Sequence, residues 1–299
     1  MAQDKIRLVA LDLDGVCYRG DVVLPGVREA LADILARGLD LRYVTNNSTT
    51  HRDDVAARLI AMGLPADRER VLSSAVVTGH WLRGRLPAGS KVLVVGEQGL
   101  MRELAEAGLV PVHAGDREVA ESPCRSPGRP AGPGASSGVT AGVGRVAAVV
   151  VGLDRAFTYE ALVEAQAAIL AGAPFVATNR DSTLPLPDGV APGAGSLVAA
   201  IAVATGTQPT VMGKPGLALA EALAQLTGIP SEATLFVGDR LDTDVGMGKR
   251  AGMVTVLVLT GATTPEALRR YEAEDLGPRP DFVLDGLGEL PGLLDRLGA

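Results

Sequence analysis

This chain of 299 residues has little with which to grip nucleic acid, zinc or lipid. It has one Trp, four Tyr and four Phe, and a formal net charge of −7 with no basic block. That balance excludes a stacking platform or a surface for polyanions, so no nucleic-acid partner is expected. Its only cysteines, Cys17 and Cys124, lie far apart, and neither has a second cysteine at metal-ligand spacing. A zinc cluster and a disulfide framework are both excluded. No apolar run reaches membrane-spanning length, and charge appears almost at once with no signal-type segment. A cytoplasmic location without a membrane partner is the expectation, and the glycosylation sequons in Asn46-Asn47-Ser48-Thr49 then carry no meaning. Apolar residues, by contrast, make up 47% of the chain. That is enough for one large domain or two ordinary ones acting on a small soluble molecule.

The stretch Leu8-Val9-Ala10-Leu11-Asp12-Leu13-Asp14-Gly15 organises the rest. An apolar strand delivers two carboxylates, two residues apart, to a glycine turn, and alternation puts both on one side of the strand end. Anions that close call for a cation, and oxygen ligands of this kind suit Mg²⁺ together with phosphate oxygens. With the cation bound, Asp12 is placed to attack phosphorus, and Asp14 to protonate the leaving oxygen and later deprotonate water. The plain alternative is an acidic loop at a strand end.

Read in order, the chain alternates strand and helix. Val27, Ala30, Leu31, Ile34 and Leu35 repeat at helical spacing until Gly38, and Leu39 to Val44 is a strand ending in Thr45-Asn46-Asn47-Ser48. A right-handed crossover puts that end beside Asp12. From Lys91 the pattern restarts as a smaller α/β unit, with strands at Val92 to Val95, Val146 to Val151 and Pro174 to Ala177. Between its halves, residues 121–144 are rich in Pro, Gly and Ser, and a mobile surface insertion is expected there. Gly142-Val143-Gly144 superficially resembles a dinucleotide fingerprint, but it runs into a strand instead of opening a helix, so that reading is discarded. Later come Thr210-Val211-Met212 ending in Gly213-Lys214-Pro215, and Ala233 to Val237 ending in Gly238-Asp239-Arg240-Leu241-Asp242-Thr243-Asp244. The fold class expected is α/β: a Rossmann-like parallel-sheet core over 1–84 and 185–299, with a smaller α/β cap domain inserted over 85–184.

In an open parallel sheet, ligands bind at the carboxyl ends of the strands. Four strands read this way end in polar groups: Asp12/Asp14, Thr45/Asn46, Lys214 and Asp239/Asp244. Singly, Thr45 is open to reading as a helix cap, Asp239 and Asp242 as turn residues, and Lys214 as a loop lysine. Their recurrence at one end of the fold favours a common site. Asp239 would add a carboxylate to the metal, Thr45 and the Asn46 backbone would donate to phosphate oxygens, and Lys214 would neutralise charge.

Together these motifs, in this order, resemble the haloacid dehalogenase superfamily of phosphatases. Leu11-Asp12-Leu13-Asp14-Gly15-Val16 matches its nucleophile motif and Val44-Thr45-Asn46-Asn47 its phosphate motif. Gly213-Lys214-Pro215 matches the lysine motif, and the segment from Val237 to Asp244 the metal motif. The cap between the second and third motifs resembles the branch with 4-nitrophenyl phosphatases, phosphoglycolate and glycerol-phosphate phosphatases and pyridoxal phosphatase. The resemblance implies an aspartyl-phosphate on Asp12, with Asp14 as acid and then base. It also implies Mg²⁺ on Asp12, the Asp14 carbonyl and Asp239, with Asp244 acting through water. Thr45, Asn46, Asn47 and Lys214 would bind phosphate.

Phe175 to Pro185 resembles the branch's specificity segment. Asn179 and Asp181 there either contact substrate or hold a turn. Pyridoxal phosphatases carry a histidine just before that proline, where this chain has Leu184. Small aliphatic phosphates such as 2-phosphoglycolate or glycerol phosphates, with 4-nitrophenyl phosphate, are therefore the leading substrates. Pyridoxal phosphate and nucleotide monophosphates are the alternatives, and a non-catalytic metabolite-binding module is the remote one. A homodimer through the cap is a further expectation. Cys17, so near Asp12 and Asp14, is expected to be inert packing and not a redox switch.

Overall fold

The computed structural model describes residues 6–115, 145–186 and 189–299. The expected insertion over 121–144, with Cys124 inside it, lies outside the described residues. The chain divides into two compact units, one of Met1–Asn47, His51–Val77 and Met212–Ala299, the other of Ser48–Thr50 and Thr78–Val211.

The first unit opens with β1 (Leu8–Leu11), buried at every position, as a strand apolar on both faces must be in a parallel sheet. A short hairpin of β2 (Tyr18–Arg19) and β3 (Val22–Val23) follows. Helix α1 (Val27–Ala36) turns Val27, Ala30, Leu31 and Ile34 inward at the spacing of one helical face. Then come β4 (Asp40–Thr45), α2 (Arg52–Ala61) and β5 (Val71–Ser73), followed by α3 (Ser74–Arg83), whose residues from Thr78 onward are counted with the second unit.

The second unit contains β6 (Lys91–Val95), α4 (Gln98–Glu106), β7 (Val110–His113), β8 (Ala148–Val151), α5 (Tyr159–Leu170) and β9 (Phe175–Ala177). A hairpin of β10 (Thr183–Leu186) and β11 (Gly189–Pro192), helix α6 (Ala194–Thr205) and strand β12 (Thr210–Val211) complete it. Its parallel sheet has the order β12-β9-β8-β6-β7. The structure thus corrects the expected return to the core at residue 185. Val198 and Ile201 of α6 share a hydrophobic core with Ala165 and Ile169 of α5, and β12 pairs with β9, so the unit extends to Val211. Ser48–Thr50 also belongs to it, because Gly99 N–H donates to the Thr49 carbonyl and Thr178 Oγ1 to Ser48 Oγ.

After Met212 the first unit resumes with α7 (Ala218–Thr227), β13 (Thr234–Gly238), α8 (Gly246–Ala251), β14 (Val254–Val258), α9 (Pro265–Ala273), β15 (Phe282–Leu284) and α10 (Leu290–Leu297). Its six strands are parallel in the order β15-β14-β13-β1-β4-β5. Val9 and Leu11 join Leu31 and Ile34 of α1 and Leu290, Leu293 and Leu294 of α10 in one core. From β1 the chain moves outward to β4 and β5, and later returns on the other side through β13, β14 and β15. The strand order therefore reverses between β1 and β13, which places the ligand crevice at their carboxyl ends. Leu11 lies opposite Val237, so Asp12 leaves the sheet next to Gly238. Among the described residues, no helix is long and apolar enough to cross a membrane.

Candidate active site

Asp12 follows β1 directly, its N–H donating to the Val237 carbonyl of β13 at 2.9 Å, so the sheet fixes its position. Its carboxylate is met by Lys214, whose Nζ lies 2.9 Å from Asp12 Oδ1 and 2.8 Å from Asp244 Oδ1. Lys214 is 2% exposed, and its Nζ also donates to the Val44 carbonyl. Burial alone would lower its pKa, but Asp12 and Asp244 outweigh that cost and hold it above the ordinary lysine value, so it stays an ammonium. Lys214 does not stand at the end of a core strand, as the sequence pattern predicts. The strand before it, β12, belongs to the other sheet. Asn46 holds the lysine's backbone in place: Nδ2 donates to the Lys214 carbonyl at 2.9 Å, and Lys214 N–H donates to Oδ1 at 2.7 Å. Thr45 is buried and accepts the Asn47 N–H, while Ser74 Oγ donates to the Asn46 carbonyl.

Beyond β13 the chain winds through a single π-helical turn, Leu241–Val245, which folds Asp244 back under the strand end. Such turns are uncommon and concentrate at functional sites. Asp244 Oδ2 accepts both the Asp239 and the Arg240 N–H, each at 3.1 Å. Gly238 makes this possible, because a Cβ there would lie 2.3 Å from the Asp244 side chain. Asp242, by contrast, pairs with Arg240 at the surface.

Oxygens of Asp12, Asp239 and Asp244 all lie within 4.8 Å of one another. Burial pushes Asp12 up to about 8, with Asp244 and Asp239 adding to the rise and Lys214 opposing it. Burial likewise pushes Asp239 up to about 6, helped by Asp244 and resisted by the Ala262 N–H, Lys214 and Arg240. Three carboxylates against one ammonium leave two negative charges when all are ionised. An all-oxygen donor set that lacks this much positive charge fits a hard divalent cation. Asp14 is the more open of the motif's two acids. Even so, water lost to the surrounding loops holds it above the usual carboxylate range, against the pull of Arg58 and Lys214.

The loop after β14 is a fifth contributor that the motif pattern does not mark. Ala262 N–H donates to Asp239 Oδ2 at 2.5 Å, Thr263 N–H to the Asp239 carbonyl, and Thr260 Oγ1 to the Gly15 carbonyl at 2.6 Å. A Cβ on Gly261 would lie 1.9 Å from Asp239 Oδ2. The signal was available in principle, since β14 reads as a core strand and its carboxyl end falls at the same edge as the others. Cys17 is fully buried, with its thiol directed at the Asp12 carbonyl 3.5 Å away. Burial, and then the charges of Asp12 and Asp14, push the thiol well above its ordinary pKa, which makes it inert. Asn179 and Asp181 belong to the second unit. There Asn179 Nδ2 donates to Thr178 Oγ1 and Oδ1 accepts the Asp181 N–H, bonds that hold a turn.

A haloacid dehalogenase-like hydrolase model matches residues 9–110, and a second, HAD-hydrolase-like model matches residues 211–290. Glycerol-3-phosphate phosphatase of Gallus gallus is 36% identical over 302 residues, covering 97% of this chain and 93% of that protein. The chain belongs to the haloacid dehalogenase-like hydrolases. Among solved members of the family, p-nitrophenyl phosphatase from Archaeoglobus fulgidus superposes with a TM-score of 0.82 at 29% identity, covering 97% of this chain and 100% of that one. Glycerol phosphate phosphatase from Mycobacterium tuberculosis, solved with magnesium, gives 0.78 at 33% identity over 98% of this chain and 79% of that one. Within the haloacid dehalogenase-like hydrolases, then, this chain is a phosphatase of the cap-containing branch.

Proposed function

We propose that this phosphatase hydrolyses a small phosphomonoester in two steps on Asp12. A carboxylate oxygen of Asp12 attacks phosphorus, the bond from phosphorus to the substrate oxygen breaks, and Asp14 gives that oxygen its proton. Asp14 then takes a proton from water as the water oxygen attacks the same phosphorus. The bond to Asp12 breaks, and inorganic phosphate leaves. The observation that supports this most strongly is Lys214 Nζ lying within 3 Å of both Asp12 and Asp244 at the carboxyl edge of the parallel sheet. Held there as an ammonium, it keeps the nucleophile close and offsets phosphate charge without itself giving up a proton. Thr45, Asn46 and Asn47 would receive the phosphate at the end of β4.

Asp12, Asp239 and Asp244, with Asp14 through its carbonyl, would hold Mg²⁺, which when bound supplies Lewis-acid stabilisation of charge on the phosphoryl oxygens. Asp244 already accepts two backbone N–H groups and faces Lys214, so it would also fix the Asp239 loop.

For substrate, glycerol phosphates lead, with 2-phosphoglycolate and 4-nitrophenyl phosphate close behind. The relatives named for glycerol phosphate and p-nitrophenyl phosphate support this order, and Leu184 in place of histidine argues against pyridoxal phosphate. The test is phosphate release from a panel of glycerol phosphates, 2-phosphoglycolate, pyridoxal phosphate, nucleotides and 4-nitrophenyl phosphate, with Mg²⁺ or EDTA. Activity should vanish in EDTA and in Asp12→Asn, and Asp14→Asn should lose about 10²–10⁴-fold on alkyl phosphates. Undiminished turnover by folded Asp12→Asn would overturn the mechanism.

A further inference from the structure

Within the described residues, no hydrogen bond fixes the Asp14 carboxylate, so its aim depends on the backbone that carries it. That backbone is held from two directions. Gly15 N–H donates to the Tyr18 carbonyl at 2.8 Å, and Asp14 bridges to Tyr18, so the hairpin of β2 and β3 forms the outer wall of the turn. From α2, Arg58 donates through Nη2 to the Gly20 carbonyl at 2.7 Å and to Asp21 Oδ1 at 3.1 Å. Its guanidinium carbon also lies 4.7 Å from the centre of the Tyr18 ring. On the inner side, Thr260 after β14 donates from Oγ1 to the Gly15 carbonyl and accepts from Arg19 Nη2 at its own carbonyl. A guanidinium that stacks and donates at once fixes a short loop in a way an ammonium does not.

We propose that Arg58 and Thr260 are positioning residues that clamp the turn from Asp14 to Asp21 and so aim Asp14 at the leaving oxygen. The proposal rests on the reading of Asp14 as the proton donor. Neither residue touches the reacting atoms. Arg58 holds the hairpin at Gly20, Asp21 and the Tyr18 ring, and Thr260 holds the turn at the Gly15 carbonyl.

A misaimed acid has a chemical signature that a merely loosened fold lacks. Departure of an alkoxide such as that of glycerol needs a proton in the transition state, whereas 4-nitrophenolate departs readily without one. The experiment is single-turnover release of alcohol from glycerol phosphate and of 4-nitrophenolate from 4-nitrophenyl phosphate. It compares the wild type, Asp14→Asn, Arg58→Ala, Arg58→Lys and Thr260→Val, all with saturating Mg²⁺. Asp14→Asn should slow alcohol release at least about tenfold more than nitrophenolate release. Arg58→Ala and Thr260→Val should show the same selectivity to a smaller extent, with Arg58→Lys recovering part of the Arg58→Ala loss. Equal slowing of both leaving groups in the clamp variants, or none, while Asp14→Asn remains selective, overturns the clamp. If Asp14→Asn is itself unselective, the proton-donor reading fails first and the clamp falls with it. Thr260→Val removes one hydroxyl at nearly constant shape, so it serves where Arg58→Ala does not fold.

Discussion

The cation site proposed at Asp12 and Asp239 comes at some cost to the fold. Both carboxyls titrate above their ordinary values in the metal-free protein, at about 8 and about 6. The folded state therefore binds protons there that the unfolded chain has already released. Stability from this source falls as pH rises from near 4 through 8, because ionising each group leaves a charge buried away from water and set against its acidic neighbours. A divalent cation replaces those protons and relieves the repulsion, and its stabilisation grows as the protons leave. In EDTA the melting temperature should fall between pH 5.5 and pH 8.5, and the increase caused by Mg²⁺ should be larger at pH 8.5. In Asp239→Asn, which no longer repels its neighbours, the metal-free melting temperature should vary less with pH. A Mg²⁺ increment independent of pH would sink this account.

The site is built from element ends, and the loop after β14 is the least tolerant of them. Its Gly261 faces Asp239 so closely that one added methyl group would displace the carboxylate or the loop. Gly261→Ala should keep the far-ultraviolet circular dichroism of the wild type, yet lose most of the Mg²⁺-induced rise in melting temperature and about 10²-fold in kcat. Wild-type turnover in that variant would show that the loop gives way harmlessly. Strands β1 and β13 were legible in the sequence because each is an apolar run, buried on both faces, that ends in a polar motif, and β4 because Leu41, Tyr43 and Val44 lead into Thr45-Asn46-Asn47. Asp12, Lys214, Asp239 and Asp244 were likewise legible as companions from those motifs. The partner of β12 was not. Two residues, Thr210 and Val211, carry strand character but no register, so their pairing with β9 is decided by the packing of α6 on α5. Arg58 left no signal either, since one arginine on the outer face of an amphipathic helix looks like any other.

Among the described residues, the large core around β1 in the first unit and the core of the second unit divide the work. Leu93 is fully buried in the core of the second unit, among Val149, Phe175 and Ile201. The acidic cluster belongs entirely to the first unit. Leu93→Ala should cost about 2–5 kcal/mol in urea unfolding, the range for a leucine truncated in a packed core. Mg²⁺ affinity measured by calorimetry should stay at the wild-type value. A drop in affinity comparable to that of Asp239→Asn would mean that the cation site depends on the second core. The two-unit plan could be read from the restart of the strand–helix pattern at Lys91, but the end of the second unit could not. Residues 185–211 have the composition of either unit, and only tertiary contacts assign them.

One buried atom gives the first unit a chemical clock. The Cys17 sulfur is sealed against the carbonyl of Asp12, and no reagent reaches it until the end of β1 and the hairpin part. Once Cys124 is replaced by serine, the rate at which an alkylating agent consumes Cys17 counts those partings directly. A cation bound at the same strand end should slow the count. The strand that ends at Asp12 thus records its own openings without any added label.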